Sequence, residues 1–373
     1  KIPNTSVRKE VKQKLEKENW NYIRKLGIIQ DTIYGIDILP FAIQISKLRF
    51  YISLIVDQKK KKKKENKGII PLPNLECKLV CSSSLIPLPE ENKQASIFHD
   101  NTANIEELKQ VRDEYFRSNG DEKEEAIKHF KRIQVKIFKE ATLGISKGSS
   151  VKNNRDYELA TWNPFSDNKT EWFDMQWMFG IEKGFSIVIG NPPYIGQKGN
   201  NEIFRPVKET TLGKQFHQRR MDYFYFFFHQ SINLAADNGV VNFITTNYYI
   251  TATYADLLRK DFKNRTSVRQ LVNFNELKIF ESALGQHNLI TFLTKDKNNH
   301  PVKVISSQKT GFADSKTLKT ILLDSDDDTT YFEMPDQNIF EGNLNYIRLQ
   351  NETSRDSGID SILEIVKSAG KPL

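Results

Sequence analysis

Short runs of β-branched and aromatic residues alternate with longer runs of helical spacing along most of this chain. That order restricts the fold more than any other feature. Residues 32–38, "TIYGIDI", read as a short strand. They lead into 40–56, "PFAIQISKLRFYISLIV", with proline at a helix start and apolar residues at three-and-four spacing. Residues 77–86, "CKLVCSSSLI", read as the next strand and its turn, and an unbroken helical pattern over 6–26 precedes the whole. Strand, helix, strand is the order of a parallel α/β sheet.

The alternation is interrupted and then resumes. Residues 90–150 are polar and helical, with "NIEELKQVRDEYF" and "DEKEEAIKHFKRIQVKIF" joined by "RSNGD", so a helical hairpin is expected as an insertion between strands. An irregular stretch carrying Trp162, Trp172 and Trp177 precedes "FSIVIG" (185–190), read as a buried strand. A helix over 221–236, a strand over 239–245, a helix over 254–262 and strands near 268–274 and 288–294 follow. From about residue 300 the pattern decays; "DSDDDTT" marks a break, and "GIDSILEIVKSAG" reads as a last helix.

Composition narrows the class. With 38% hydrophobic and 27% charged residues over 373 positions, the chain reads as soluble and globular. The densest apolar run, "YFYFFFHQSINLA" at 223–235, is broken by His229 and Gln230 and is shorter than the roughly 20 residues of a membrane helix. Its aromatics fit a buried helix against a sheet. The start is basic and polar, without a signal-peptide pattern, and a cytoplasmic protein is expected. Cys77 and Cys81 imply neither a disulfide framework nor a zinc site, and no bound metal is expected. A net charge of +8 fits either a polyanionic partner or a plain basic surface, and the lysines at 59–64 read as a solvated loop.

Ligands of an open α/β sheet bind at the carboxyl ends of its strands. Three such ends stand out. Asp37 ends "IYGID", where a carboxylate can accept hydrogen bonds from both hydroxyls of a ribose; a capping or surface Asp fits the same position. The small polar turn "CSSSL" (81–85) can approach a flat ring. The third is Asn191-Pro192-Pro193-Tyr194, directly after a strand and a glycine. Proline fixes φ and removes a donor, so the Asn191 side-chain oxygen and the Pro192 carbonyl can both face one guest amino group. An adjacent aromatic ring can stack on a planar base; an ordinary proline-rich turn is the alternative.

Taken in order, these segments resemble a known family. "IVIGNPPYI" resembles the catalytic motif of S-adenosylmethionine-dependent amino-methyltransferases, in the form associated with adenine N6. "YGIDILPFAIQISKLRFYISLI" is similar to the acidic motif and following helix of the large adenine-specific DNA methyltransferases of type IIG restriction–modification and phage-defence systems. "LPNLECKLVCSSSLI", the helical insertion, the tryptophan stretch, "MDYFYFFFHQSINLAADNGVVNFITTNYYI" and "ALGQHNLITFLTK" follow in that family's order, over about residues 30–300. The resemblance implies an α/β fold, Rossmann-like and S-adenosylmethionine-dependent, with a mostly parallel sheet and helices on both faces. It implies a helical insertion, the start of a C-terminal recognition domain, and double-stranded DNA as partner.

The same resemblance implies roles. Asp37 would bind the ribose of S-adenosylmethionine, Ile38 would pack on its adenine, Ser83 would contact the adenine edge, and Leu85 lies in the same cofactor turn. Asn191 and Pro192, with Pro193, would hold the target amino group, Tyr194 would stack on a flipped-out adenine, and Phe292 would supply a second aromatic wall. By their place just beyond the quartet, rather than by the resemblance, Lys198, Lys214, Arg219 and Arg220 fit either phosphate contacts or plain surface charge. His217, His229 and His287 form no catalytic pattern and read as structural. Ser83 departs from the family's usual Asn or Asp, and Ser186 stands where Asp is frequent. The glycine-rich turn expected before the acidic residue has no counterpart, since residues 1–36 hold only Gly27 and Gly35.

The chain is therefore expected to be a fragment. It divides into a truncated cofactor-binding half (1–89), the insertion (90–150), the catalytic half (151–300), and a linker with a truncated recognition domain (301–373). Enzymes methylating protein glutamine or RNA adenine share the quartet, and a non-catalytic DNA-binding module is a third alternative.

Overall fold

The computed structural model describes residues 20–58, 67, 69, 78–90, 101–118, 121–143, 154–166, 168–281, 286–298 and 300–349. The lysine run 59–64, residues 6–19 of the first helix, Cys77 and the final helical segment fall outside them. The chain divides into two compact units, Lys1–Glu182 and Lys183–Leu373, described here in turn.

The first unit contains α1 (Trp20–Asp31), β1 (Gly35–Asp37), α2 (Pro40–Val56) and β2 (Leu79–Cys81), then α3 (Thr102–Arg117), α4 (Asp121–Leu143), α5 (Arg155–Thr161) and α6 (Met175–Phe179). Strands β1 and β2 pair in parallel, with Gly35 opposite Leu79 and Asp37 opposite Cys81. A side chain at Gly35 would bring Cβ within 2.7 Å of Leu79 Cδ2, so the close pairing demands glycine. Helix α2 opens with proline in its first turn and buries Ile43 against Leu79 and Cys81, and Leu54 against Tyr22 and Ile29 of α1.

The expected insertion is a hairpin of α3 and α4. Its seam is apolar: Leu108, Val111, Tyr115, Phe130, Ile133 and Ile137 are buried. The hairpin is tied to the tryptophan stretch by polar bonds. Gln134 donates to the carbonyls of Leu159 (2.8 Å) and Trp162 (2.5 Å), and Arg112 to those of Gln176 (2.8 Å) and Trp177 (2.9 Å). These acceptors include carbonyls that short helices leave without a partner of their own. All three tryptophans of the stretch are buried.

The second unit begins with β3 (Phe185–Gly190), α7 (Asn201–Lys208), α8 (Thr211–Phe216), α9 (Phe224–Leu234) and β4 (Ala235–Thr246). Two 3₁₀ turns (Asn247–Ile250 and Thr253–Ala255) lead to α10 (Asp256–Arg265), β5 (Ser267–Asn273), β6 (Leu277–Lys278) and β7 (Asn288–Thr294). It closes with β8 (Pro301–Ser307), β9 (Gly311–Phe312), α11 (Ser315–Leu322), β10 (Thr329–Pro335), β11 (Phe340–Glu341) and β12 (Tyr346–Ile347). Six strands form one sheet in the order β10-β8-β5-β7-β4-β3. Strands β3, β4, β5 and β8 run one way, and β7 and β10 oppose them.

Helices cover both faces of this sheet. On one, Phe228 of α9 meets Phe243 of β4 and Phe262 of α10. On the other, Ile321 of α11 packs with Val272, Ile305, Ile244 and Ile290. The aromatic run at 223–235 is thus a buried helix as expected, with Phe224, Phe226, Phe228 and Ile232 fully enclosed. The anticipated α/β class with a mostly parallel sheet is the one observed.

Two expectations are corrected. Residues 301–335 do not form a linker: β8 and β10 extend the sheet, because Val302, Val304 and Ile305 bury their side chains in its core. The acidic "DSDDDTT" is a surface turn before β10, in which Thr329 donates to Asp326 at 2.6 Å. Strand β3, read as buried, ends the six-stranded sheet of the second unit beside β4 among the described residues, with Ile187 and Ile189 64% and 74% exposed.

His229 is buried in α9, stacked on Phe216 at 3.7 Å and hydrogen-bonded through Nδ1 to Asp261 at 2.6 Å. Burial drives its pKa below the ordinary 6.5 despite the carboxylate, so the imidazole is neutral and the contact is a hydrogen bond. Burial also pushes the Asp261 carboxyl up. Bonds from His229 and from Arg265 (2.5 and 2.7 Å) outweigh it, leaving that pKa depressed. As pH falls through 6.5 the unfolded histidine takes up a proton that the folded one refuses, so stability declines. The melting temperature should drop between about pH 7.5 and about pH 5.5, with a shallower drop in His229→Gln. Equal slopes would show that His229 does not contribute.

Candidate functional site

In the first unit, Asp37, Ile38, Ser83 and Leu85 come from the ends of two adjacent parallel strands. Asp37 closes β1 with its carboxylate exposed. Its Oδ1 accepts the Leu39 N–H at 2.8 Å and its backbone carbonyl accepts the Ser82 N–H at 2.9 Å. The first bond fixes the carboxylate in a local turn, and no other hydrogen bond of that carboxylate occurs among the described residues. The capping role weighed from sequence is therefore partly real: the carboxylate serves a turn and still presents Oδ2. Ile38 is 49% exposed, its carbonyl bonded by the Cys81 thiol.

Across from them, Ser83 is half-buried and Leu85 is buried. Ser83 begins a turn, donating its N–H to the Thr170 carbonyl and accepting from Ile86, both at 3.3 Å. Ser82, by contrast, is enclosed and donates its hydroxyl to Trp172. The tryptophan stretch runs beside β2 as a partial strand, bridging Ser82 to Thr170 and Pro87 to Phe173. Asp37, Ile38, Ser83 and Leu85 thus share one end of the β1–β2 pair. An exposed carboxylate beside an exposed aliphatic chain and a hydroxyl fits a ribose diol with a flat base next to it.

In the second unit the quartet leaves the carboxyl end of β3. Gly190 precedes it because any Cβ there would sit 2.9 Å from the Phe243 ring of β4. Asn191 and Pro193 are exposed and Pro192 is buried. The Pro192 carbonyl accepts no hydrogen bond among the described residues. The loop is pinned to the segment before α9: Tyr223 N–H donates to Ile195 (2.8 Å), Gln197 N–H to Met221 (3.0 Å), and Gly196 pairs with Asp222. Gln197 accepts the Arg220 N–H at 2.8 Å, and Arg220 takes the left-handed φ of +63° that this turn requires.

Tyr194 is half-buried, its ring edge-on to Phe224 at 6.2 Å. Its hydroxyl lies 2.9 Å from Asn191 Oδ1 and 3.1 Å from the Ile244 carbonyl. Burial pushes its pKa up to about 12, against a smaller opposing influence of the Asn288 side chain. The phenol is therefore neutral at physiological pH and positions Asn191. Beside the loop, burial raises the Asp222 carboxyl, while a bond from Tyr225 works the other way.

The geometry groups Asn191, Pro192, Pro193 and Tyr194 but does not bring Phe292 to them. Phe292 stands mid-strand in β7, opposite Asn242 and Gln270. It is four residues along the strand from Asn288, roughly 13 Å. The motif around it was singled out for its aromatic, whereas Asn288, at the start of the same strand, is the side chain that acts against burial on the Tyr194 pKa. Asn288, Asp222 and the Ile244 carbonyl had no local signal, being brought in by sheet register and loop pairing. Lys198, Lys214, Arg219 and Arg220 are all exposed; Arg220 lies over the Tyr254 ring at 5.7 Å. Among the described residues no group of three His, Cys, Asp or Glu side chains has metal-binding geometry, and no helix is long and apolar enough to cross a membrane.

Residues 31–280 match the family model described as Eco57I restriction-modification methylase. RM.MjaORFECS2P of Methanocaldococcus jannaschii, a type II restriction enzyme and methyltransferase by name, is 26% identical over 355 residues, covering 80% of this chain and 29% of that protein. The type II methyltransferase M.HincII of Haemophilus influenzae is 29% identical over 123 residues, covering 33% of this chain and 24% of that one. The chain thus spans between about a quarter and a third of the length of these relatives. Among solved structures, the type IIL restriction-modification enzyme MmeI in complex with DNA aligns over 92% of this chain and 39% of its own, at 10% identity and a TM-score of 0.41.

Proposed function

Because the chain belongs to the Eco57I restriction-modification methylase family, we propose that it is the methyl-transferring part of a site-specific DNA methyltransferase acting on adenine N6. The observation carrying this reading is the exposed Asn191 held by Tyr194 at the end of β3, next to the Pro192 carbonyl, which accepts no hydrogen bond among the described residues. S-adenosylmethionine, when bound, supplies a methyl group on a positively charged sulfur. Asp37 accepts hydrogen bonds from its ribose, Ile38 and Leu85 border its adenine, and Ser83 meets the ring edge.

Adenine N6 is a poor nucleophile because its lone pair is delocalised into the ring. Asn191 Oδ1 and the Pro192 carbonyl, each accepting one N–H, favour a pyramidal nitrogen whose lone pair points out of the ring plane. This is alignment and electrostatic preorganisation, without a covalent enzyme intermediate. The base reaches the site only after leaving the duplex, at a cost of a few kcal/mol that stacking on Tyr194 offsets. Exposed Lys198, Lys214, Arg219 and Arg220 supply phosphate contacts, and a cytoplasmic location accompanies such a role.

The test is methyl transfer by the full-length protein from labelled S-adenosylmethionine to unmodified duplex DNA, with the labelled base identified after digestion. Label on adenine N6 supports the proposal. Label on cytosine, RNA or protein glutamine reassigns the substrate, and label on none of them leaves a binding module. Asp37→Asn keeps the acceptor for Leu39 and removes only the charge. It should raise the Kd for S-adenosylmethionine about 10- to 100-fold, as for loss of a hydrogen bond to a charged group. An unchanged Kd by calorimetry would remove Asp37 from the cofactor site.

A further inference from the structure

Arg220 stands apart from the other basic residues beyond the quartet in how it is held. Its φ of +63° lies in the left-handed region, where residues with a Cβ are uncommon. Asn238, Asn275, Asp324 and Asn345 also lie there, and short polar side chains suit it. Arginine has no such aid of its own. A conformation of this kind persists where the surroundings over-determine it, and such places cluster at functional sites.

The surroundings here are two glutamines. Gln197 is buried and accepts the Arg220 N–H at 2.8 Å through Oε1, while its backbone N–H donates to the Met221 carbonyl at 3.0 Å. Because the Arg220 N–H is a donor, the amide atom facing it is the oxygen. Nε2 then points away, donating to Asn201 Oδ1 (3.3 Å) and His217 Nε2 (3.1 Å), so the amide is held at both ends. On the other side of the turn, Gln218 Oε1 accepts the Leu257 N–H at 3.2 Å and its amide donates to Asp256, both in the first turn of α10. These bonds seat the turn beside Tyr254, and the Arg220 guanidinium lies over that exposed ring at 5.7 Å. The guanidinium is itself exposed and makes no ion pair or side-chain hydrogen bond among the described residues. A planar fork with one face on an aromatic ring keeps its N–H edges free, the form that grips a phosphate with two bonds.

We propose that Gln197 is a positioning residue: it holds Arg220 in its left-handed turn over Tyr254, so that the guanidinium makes a fixed two-bond contact with a phosphate of the DNA. The inference rests on DNA as the partner. It assigns orientation, beyond charge, to one of the four basic residues near the quartet, and ties that contact to the loop that carries Asn191.

The test is binding of a short fluorescein-labelled DNA duplex by the full-length protein, read by anisotropy over a range of salt. Arg220→Gln should make log affinity against log salt shallower by about one unit, as for one lost phosphate contact. Arg220→Lys keeps the charge and loses the fork. It should weaken binding about 5- to 10-fold at fixed salt, on the scale of one hydrogen bond, with the slope unchanged. In the Gln197→Met background, where the acceptor for the Arg220 N–H is gone, the same substitution should cost less than about twofold. In the Gln197→Glu background, which keeps that acceptor, the full loss should remain. Equal affinities of the wild type and Arg220→Lys, or equal losses in the wild-type and Gln197→Met backgrounds, overturn the inference, since a plain surface charge is indifferent to both changes. An unchanged slope in Arg220→Gln overturns the phosphate contact. If Gln197→Met melts well below the wild type, Gln197→Ala serves in its place. No duplex binding by the wild type overturns the inference and the proposed function together. The expected losses with no methyl label on DNA would retain the positioning role and reject methyl transfer to DNA.

Discussion

Asn191→Ala should lower the rate of methyl transfer about 100- to 1,000-fold, on the scale of removing one preorganised partner of a transition state. DNA and cofactor affinities should stay within about twofold, because binding draws on many contacts and this one strengthens only as the nitrogen pyramidalises. The side chain is exposed at the end of an outer strand, and its hydrogen bond is to Tyr194. Truncation therefore disturbs little of the fold, and the melting temperature should be nearly unchanged. Asn191→Asp separates position from chemistry. It keeps one acceptor oxygen and replaces the amide nitrogen with a second, so activity well above that of the alanine variant would show that acceptance is what the site needs. A kcat for alanine within about threefold of the wild type would refute the assignment of Asn191 to the reaction.

Arg259→Leu should destabilise the second unit by about 3–5 kcal/mol, comparable to removing one partner of a buried charge network. Arg259, on α10, is completely enclosed. It donates to the carbonyls of Tyr249 (2.6 Å) and Ala252 (2.8 Å) in the 3₁₀ segment after β4, and to Leu344 (3.0 Å) between β11 and β12. Its guanidinium also lies over the Tyr346 ring at 4.9 Å. The 3₁₀ turns and the β11–β12 pair leave carbonyls outside any ladder, and one planar cation satisfies three of them. Leucine fills most of the volume but strands the Tyr249 and Leu344 carbonyls, each at about 1–3 kcal/mol before relaxation, and leaves Ala252 only the Ala255 N–H. Chemical denaturation read by tryptophan-independent circular dichroism would report the loss. A shift below about 1 kcal/mol would mean that the segment finds other donors.

The residues proposed to hold the cofactor stand out in short stretches because the features that mark them are local. Asp37 follows a strand that Gly35 allows to pair closely, and Pro40 starts the next helix three residues later. Asn191 to Tyr194 was equally readable, since two prolines restrict the backbone wherever the loop lies. The second aromatic wall was not. Phe292 has the right chemistry in the right motif, but its strand runs antiparallel to β4, which sets the ring opposite Asn242 in mid-strand.

The same division holds for the fold. Alternating apolar runs and helical spacing within a few residues determined the α/β class, the helical hairpin and the buried aromatic helix, because those patterns reflect backbone periodicity. Which strand ends the sheet, whether 301–335 joins it, and which distant carbonyl meets the Tyr194 hydroxyl depend on pairing between segments far apart in sequence. A strand's own residues tolerate several neighbours, and a one-residue change of register exchanges its faces. Only the assembled hydrogen-bond ladder, with Thr246 opposite Asn288 and Gly190 opposite Phe243, selects among them.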